Sequence, residues 1–85
     1  MDMKRCNPHK EYVSVLAEHQ TDGTIQPLSF RRDNGDTVRL DRVLDVRPAT
    51  SLKAGGQGIR YTCRAEGREV FLFHDRDWWF IEKDA

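Results

Sequence analysis

Turn signals recur along the chain and divide much of it into segments of strand length. Asp22-Gly23 and Asn34-Gly35 are dipeptides that tight hairpins favour, and Asn34-Gly35 predicts a two-residue type I′ turn. Glu66-Gly67 supplies a third turn, and residues 75–77 (Asp-Arg-Asp) supply a fourth. Between the turns, apolar and polar residues alternate as on half-buried strands, so the pattern predicts an all-β, antiparallel fold.

Six strands are expected, over residues 11–20, 25–32, 37–47, 58–65, 68–74 and 78–82. We expect this meander to curl into a small SH3-like barrel, because closure removes exposed sheet edges. The first segment has an alternative, since Asn7-Pro8 could cap a short helix over residues 8–20. The β-branched Val13 and Val15 favour a strand there.

The third predicted strand, residues 37–47, breaks its own alternation. Arg42 interrupts the apolar row and Val43 the polar row, which predicts a bulge or a strong bend near residues 42–43. Pro48 is expected to end the strand, because proline cannot donate a ladder hydrogen bond, and residues 49–57 are expected to form a long loop. The apolar row is Val38, Leu40, Leu44 and Val46, and the polar row is Arg39, Asp41, Asp45 and Arg47.

Length and composition indicate one small domain. The 85 residues are enough for a thin core, with residues 1–9 as a tail and residues 10–85 as the domain. No apolar run approaches the roughly 18 residues that span a bilayer, and the N-terminal residues are too polar for a signal peptide. A cytoplasmic location is therefore expected. Cys6 and Cys63 are too few for a disulfide framework, and Cys63 is expected in the core.

The last two predicted strands are apolar on both faces, in residues 70–73 (Val-Phe-Leu-Phe) and 78–81 (Trp-Trp-Phe-Ile). Neighbouring side chains of a strand point to opposite sides, so Trp78 and Trp79 cannot enter the same core. The second face needs a cover, which could be the N-terminal segment, a second copy of the protein, or a ligand or partner surface. Because large exposed apolar patches mark interaction sites, the candidate binding residues here are Phe71, Phe73, Trp78 and Trp79.

A basic stripe is expected on the outward side of the third and fourth predicted strands. Such stripes bind phosphates, and with neighbouring aromatic residues they bind single-stranded nucleic acid. Asp41 and Asp45 share the same row, however, and 14 basic residues balance 14 acidic ones, so cross-strand salt bridges are the favoured interpretation. The stripe comprises Arg39, Arg47, Arg60 and Arg64, with Lys53 from the adjoining loop.

The remaining motifs do not indicate catalysis. Residues 48–58 are rich in glycine but lack the Gly-Lys-Ser/Thr of a nucleotide loop, so a crossover between strands is favoured, with a binding loop for a larger partner as the alternative. Cys6-x-x-His9 has no closely spaced second half for a zinc site. Residues 74–77 have the composition of a surface turn. No enzymatic activity, metal or cofactor is expected.

Residues 42–64 (RVLDVRPATSLKAGGQGIRYTCR), with GREVFLF and WWFIE after them, resemble a family of small uncharacterised bacterial proteins of similar length. The similarity covers about residues 11–82 and is most specific in RPAxSLKAGGxGIRY. That family has no assigned activity, so the resemblance implies no functional residues. Asp41-Arg42-Val43-Leu44 and the terminal Trp/Phe strand also resemble a second family, sometimes encoded beside translesion DNA polymerases, which favours a nucleic-acid context.

Together these patterns predict a non-enzymatic binding module. The leading hypothesis is protein interaction, including self-association as a homodimer, through the aromatic outer face of the last strands or through residues 48–58. The alternative hypothesis is a nucleic-acid-binding module that uses the arginine stripe and the same loop. Neither a membrane partner nor a small-molecule substrate is expected.

Overall fold

The protein is described here by a computed structural model that covers residues 10–50 and 57–82. Over these residues the all-β, antiparallel prediction is confirmed, and residues 10–19 form a strand instead of the alternative helix. The strands lie in one antiparallel sheet, in the order β3-β2-β1-β7-β6-β5-β4. Their bounds are β1 Lys10–His19, β2 Ile25–Arg31, β3 Thr37–Arg39, β4 Arg42–Thr50, β5 Gln57–Ala65, β6 Arg68–Asp75 and β7 Trp78–Glu82.

The third predicted strand is divided at Leu40 and Asp41, so the described residues form seven strands instead of six. The Leu40 N–H donates to the Leu28 carbonyl at 2.9 Å, and the Asp41 N–H donates to the Arg64 carbonyl at 2.6 Å. The chain therefore leaves β2 and joins β5 within two residues. The sheet curls so that its edges approach each other at this corner, but over the described residues β3 and β4 do not pair and the barrel is not closed.

The predicted bulge lies slightly further along the chain, at Leu44. Val43 pairs with Cys63 and Asp45 pairs with Thr62, which leaves Leu44 as the extra residue of β4. The extra residue changes which side chains face the core. Val43 packs against the core, whereas Leu44, which was predicted to face inward, is exposed.

Pro48 does not end its strand, contrary to the prediction. It pairs with Ile59, and β4 continues to Thr50, which pairs with Gln57. Proline is tolerated here because β4 is an edge strand, where a missing donor breaks no ladder on the open side. The predicted loop of residues 49–57 is therefore shorter, and residues 51–56, including Lys53, lie outside the described residues, as do residues 1–9.

The hairpin at Asn34-Gly35 is not the predicted type I′ turn. The Gly35 N–H donates to the Arg32 carbonyl at 2.9 Å, and Gly35 alone among these turn residues has a positive φ, of 93°. This is a type I turn followed by a glycine bulge. The Asn34 side chain favours it, because Asn34 Oδ1 accepts from the Asp36 N–H at 2.9 Å. Two positive φ values occur instead at Glu66 and Gly67.

The core lies on the inner face of the curled sheet. β1 pairs with β7 over Lys10–Val13 and with β2 over Ser14–His19, so it joins the two halves of the sheet. Phe30 of β2 is thereby brought onto the inner side chains of β5, β6 and β7. The buried cluster consists of Phe30, Tyr61, Cys63, Leu72 and Ile81. Cys63 is fully buried, as predicted, and burial raises the pKa of its thiol to about 11.

A buried carboxylate ties β1 to the turn after β2. Glu11 is 5% exposed and accepts hydrogen bonds from Arg32 Nη2 at 2.8 Å and Arg32 Nε at 3.1 Å. The Asp33 N–H donates to the same carboxylate at 3.3 Å. This bidentate ion pair raises the pKa of Arg32, chiefly through the hydrogen bond to Glu11. Glu11 therefore has a structural role. Its hydrogen bonds compensate for the burial of the carboxylate charge, which would otherwise be unfavourable.

Candidate functional site

The second face of the last strands is a stripe of aromatic rings. Phe73 pairs with Phe80, and Phe80 pairs in turn with Tyr12 of β1, so these rings share the side of the sheet opposite the core. Trp79 lies on the inner face, as the alternation requires, and its ring centroid is 5.2 Å from that of Tyr61. The outer aromatic stripe consists of Tyr12, Phe71, Phe73, Trp78 and Phe80.

The stripe is buried at its centre and exposed at its ends. Phe73 and Phe80 stack with centroids 5.1 Å apart and are only 2% and 1% exposed. Tyr12 packs edge-on against Trp78 at 5.4 Å and against Phe80 at 6.1 Å. Phe71 and Trp78 remain 38% and 40% exposed. The N-terminal strand β1 thus supplies part of the cover, and one ring at each end stays accessible to a ligand.

Two cations lie over the stripe. Lys10 Nζ is 4.4 Å from the Phe80 ring centroid, and Arg60 Cζ is 4.8 Å from the Phe71 ring centroid. Contacts of this kind are favourable, by about 0.5–1 kcal/mol at exposed sites. Arg60 Nε is buried and has no hydrogen-bond partner within the described residues. The stripe therefore carries positive charge directly beside its exposed Phe71 end.

Four arginines lie in two facing pairs on the same face of the sheet as the stripe. Arg42 pairs with Arg64 and Arg47 pairs with Arg60 across β4 and β5, all on the outer face. We call these residues the arginine quartet. Like charges directly opposite each other on neighbouring strands are destabilising. The register thus places like charges opposite each other between β4 and β5, while Glu69 of β6 lies opposite Arg64 on its other side.

Between β4 and β5, where cross-strand salt bridges were predicted, no carboxylate lies directly opposite an arginine in the described residues. Asp45 lies opposite Thr62, and its Oδ2 contacts Arg47 Nε at 2.6 Å along the same strand. The hydrogen bond from Arg47 is the main cause that lowers the pKa of Asp45, with the charge of Arg60 adding to it. Asp45 thus offsets Arg47 in part, but it does not separate Arg47 from Arg60.

The quartet differs from the stripe predicted from the sequence. Arg47, Arg60 and Arg64 come together, whereas Arg39 lies opposite Ser29 on β3, at the other edge of the sheet. Lys53 lies outside the described residues. Arg42 joins the group, although the unbroken third strand placed it in the apolar row. The division of that strand at Leu40 and Asp41 turns Arg42 outward. The hydrogen bonds that divide the strand join residues distant in sequence, so the sequence pattern did not indicate this orientation.

A cleft lies beside the His74 ring, which packs against Trp79. The His74 ring stacks on Trp79 with centroids 4.0 Å apart, and burial is the main cause that lowers the pKa of His74. Gly58 is required nearby, because a Cβ there would lie 2.8 Å from the His74 carbonyl oxygen. The cleft has a volume of about 520 Å³ and is lined by Pro48, Ala49, Thr50, Gly58, Ile59, His74, Asp75 and Arg76.

Among residues 10–50 and 57–82, no three His, Cys, Asp or Glu side chains are grouped so that they could hold a metal ion. The same part of the chain contains no helix of the length and apolarity that crosses a bilayer. Comparison of the chain with protein-family models, with curated proteins and with solved structures finds no match.

Proposed function

We propose that the protein is a non-enzymatic protein-interaction module, built on a small SH3-like curled sheet, that binds a partner protein on its outer face. The observation that carries the proposal is the pair of exposed rings, Phe71 and Trp78, at the two ends of an otherwise buried stripe. Aromatic side chains of this kind are the usual anchors of protein interfaces. Their neighbours Phe73 and Phe80 are already packed, so the anchors lose little conformational freedom on binding.

The sheet edges are less suited to recognition than this face. β3 has three residues, which is too short to offer a useful ladder. β4 is longer, but it contains the bulge at Leu44 and the missing donor at Pro48. Short strands, bulges and prolines are the devices that prevent strand addition at an edge. A partner that avoids these edges is therefore expected to bind through side chains of the outer face.

Selection from a displayed peptide library tests the proposal. The wild-type protein should enrich a peptide family, and Phe71→Ser or Trp78→Ser should weaken its binding by about tenfold or more, since loss of an interface anchor costs about 2 kcal/mol. Leu16→Ser is a matched control, because Leu16 is 65% exposed but lies outside the stripe. No enrichment, or equal weakening by the Leu16 variant, would contradict the proposal.

Self-association is one form of this function and is read from the same variants. Sedimentation of the wild-type protein at micromolar concentration should then give a dimer that Trp78→Ser converts to a monomer. A monomeric wild-type protein would exclude self-association at this concentration, and the proposed partner would then be a different protein.

A nucleic-acid function is the second candidate, favoured by the arginine quartet beside Phe71. Stacking of bases on exposed aromatic rings next to cations is the usual arrangement of single-strand binders. Retention on single-stranded DNA should then fall steeply with salt, because each neutralised phosphate steepens the salt dependence. Absence of retention at low salt would exclude this candidate.

A further inference from the structure

We infer that the segment bound on the outer face is acidic and extended, with two carboxylates that flank an apolar side chain. The inference rests on the proposed function, since it specifies the chemistry of the partner on the same surface. Arg60 and Arg64 of β5 would receive the carboxylates, and Phe71 of β6 would receive the apolar side chain.

The charge distribution favours a ligand with carboxylates. In each of the two arginine pairs, the two members lie directly opposite each other on neighbouring strands. Like charges in this arrangement are destabilising. A carboxylate placed between the members of a pair removes that repulsion. Guanidinium groups bind carboxylates through two parallel hydrogen bonds, which also fix the orientation of the ligand.

Arg60 supplies a second, independent reason. Its Nε is buried without a hydrogen-bond partner in the described part of the chain, while its Cζ lies over Phe71. The contact with Phe71 holds the guanidinium over one face of a ring that is 38% exposed. A guanidinium that is already held in place loses little conformational freedom when it receives an anion.

The spacing on β5 favours an extended segment. Arg60 and Arg64 are four residues apart, about 13 Å along a strand at about 3.3 Å per residue. An extended ligand places its residues i and i+4 at the same spacing and on the same side. Thr62 lies midway and pairs with Phe71, so residue i+2 of the ligand reaches the exposed ring. The expected pattern is acidic, any, apolar, any, acidic.

A short acidic segment suits this surface better than a polynucleotide. The chain has no net charge, so it produces no general field that attracts a polyanion. Asp45 contacts Arg47, and Glu69 lies opposite Arg64, so carboxylates stand beside the arginines. A nucleic acid with a phosphate on every residue would place many charges beside these carboxylates, whereas a peptide with two acids places only two.

Fluorescence anisotropy with a labelled peptide tests the inference. The probe has Glu-Ser-Phe-Ser-Glu at its centre, and the control peptide has Gln in place of both Glu residues. The wild-type protein should bind the acidic probe about tenfold or more tightly than the control peptide, because charged hydrogen bonds contribute about 1.5–3 kcal/mol. Arg60→Gln and Arg64→Gln should each remove most of that difference.

The controls separate this inference from the proposed function. Arg39→Gln, at the far edge of the sheet, should leave the affinity unchanged. Phe71→Ser should weaken both peptides, while thermal unfolding checks that each variant folds. Equal binding of the two peptides, with the Phe71 effect retained, would overturn the acidic inference and keep the interaction face. Absence of binding by both peptides, or tighter binding of an oligothymidine that displaces the probe, would also overturn it.

Discussion

The two faces of the β5–β6–β7 region bury aromatic and aliphatic side chains by different means. On the inner face, Leu72 and Cys63 are covered by a second layer that β2 and β3 provide through Phe30. On the outer face, Phe73 and Phe80 stack on each other, and the cation of Lys10 lies over Phe80. The first arrangement is a core in which Leu72 and Cys63 have no contact with solvent. The second is a surface whose ends remain open, which is why the binding proposal is placed there.

The largest effect is expected from truncation on the inner face. Leu72→Ala should lower the free energy of unfolding by about 3 kcal/mol, because it removes fully buried atoms and leaves a cavity. Phe71→Ala, on the neighbouring residue with the opposite orientation, should cost about 1 kcal/mol or less. Denaturant unfolding of the two variants measures the contrast. Equal losses would show that the outer face is a core as well.

The next effect concerns the buried carboxylate on the inner side of β1. Glu11→Gln should cost about 2–3 kcal/mol, because it weakens both hydrogen bonds to Arg32 and leaves that cation poorly paired. Glu18→Gln on the exposed end of the same strand is the control and should change the unfolding free energy little. If the two substitutions had similar effects in urea unfolding, the Glu11–Arg32 pair would not be a structural tie.

A smaller effect is expected on the outer face. Lys10→Gln removes the charge over Phe80 and should cost about 0.5–1 kcal/mol, the usual strength of an exposed cation–π contact. Lys10→Arg keeps the charge and should recover most of this loss. Unfolding of the three proteins at the same pH provides the measurement. A charge-independent result would mean that Lys10 covers the ring only through its methylene groups.

The smallest effect is a pH dependence from the inner-face histidine. Because burial lowers the pKa of His74, the unfolded chain binds more protons than the folded chain below the ordinary histidine value of 6.5. The contribution of neutral His74 to the free energy of unfolding should be fully present above that value. It should be lost as the pH drops through the pKa of His74 in the folded protein. His74→Phe keeps a ring against Trp79 but cannot be protonated, so its stability should fall less between pH 7 and 5. Identical pH profiles would contradict this expectation.

The strands were predictable from the sequence where the determinants are local. Alternation and turn dipeptides predicted the antiparallel strands, and the doubled apolar faces of residues 70–73 and 78–81 predicted that Trp78 and Trp79 would separate. The division at Leu40–Asp41 was not predictable, because it depends on hydrogen bonds to Leu28 and Arg64, which are distant in sequence. The turn type at Asn34-Gly35 was predicted wrongly for a different reason, because a local hydrogen bond from the Asp36 N–H to the Asn34 side chain favours another turn.

The candidate site was predicted in part. Phe71 and Trp78 follow from the lack of a polar face, and three arginines of the predicted stripe lie on one face of β4 and β5. The opposition of Arg42 with Arg64 depends on the register of β4 after the bulge, and neighbouring residues do not determine that register. Arg39 was included because one unbroken strand was assumed. Burial of Glu11 could have been expected, since it shares its alternation with Val13 and Val15.

The double pairing of β1 has a consequence for synthesis on the ribosome. β1, β2 and β3 can pair as soon as they emerge, because they are consecutive. The first half of β1, however, pairs with β7, the last strand of the described chain. Lys10 and Tyr12 must therefore wait until residues 78–82 have left the exit tunnel before the outer rings are covered. Until then the first half of β1 has no partner strand on that side, and the sheet is completed only when β7 has emerged.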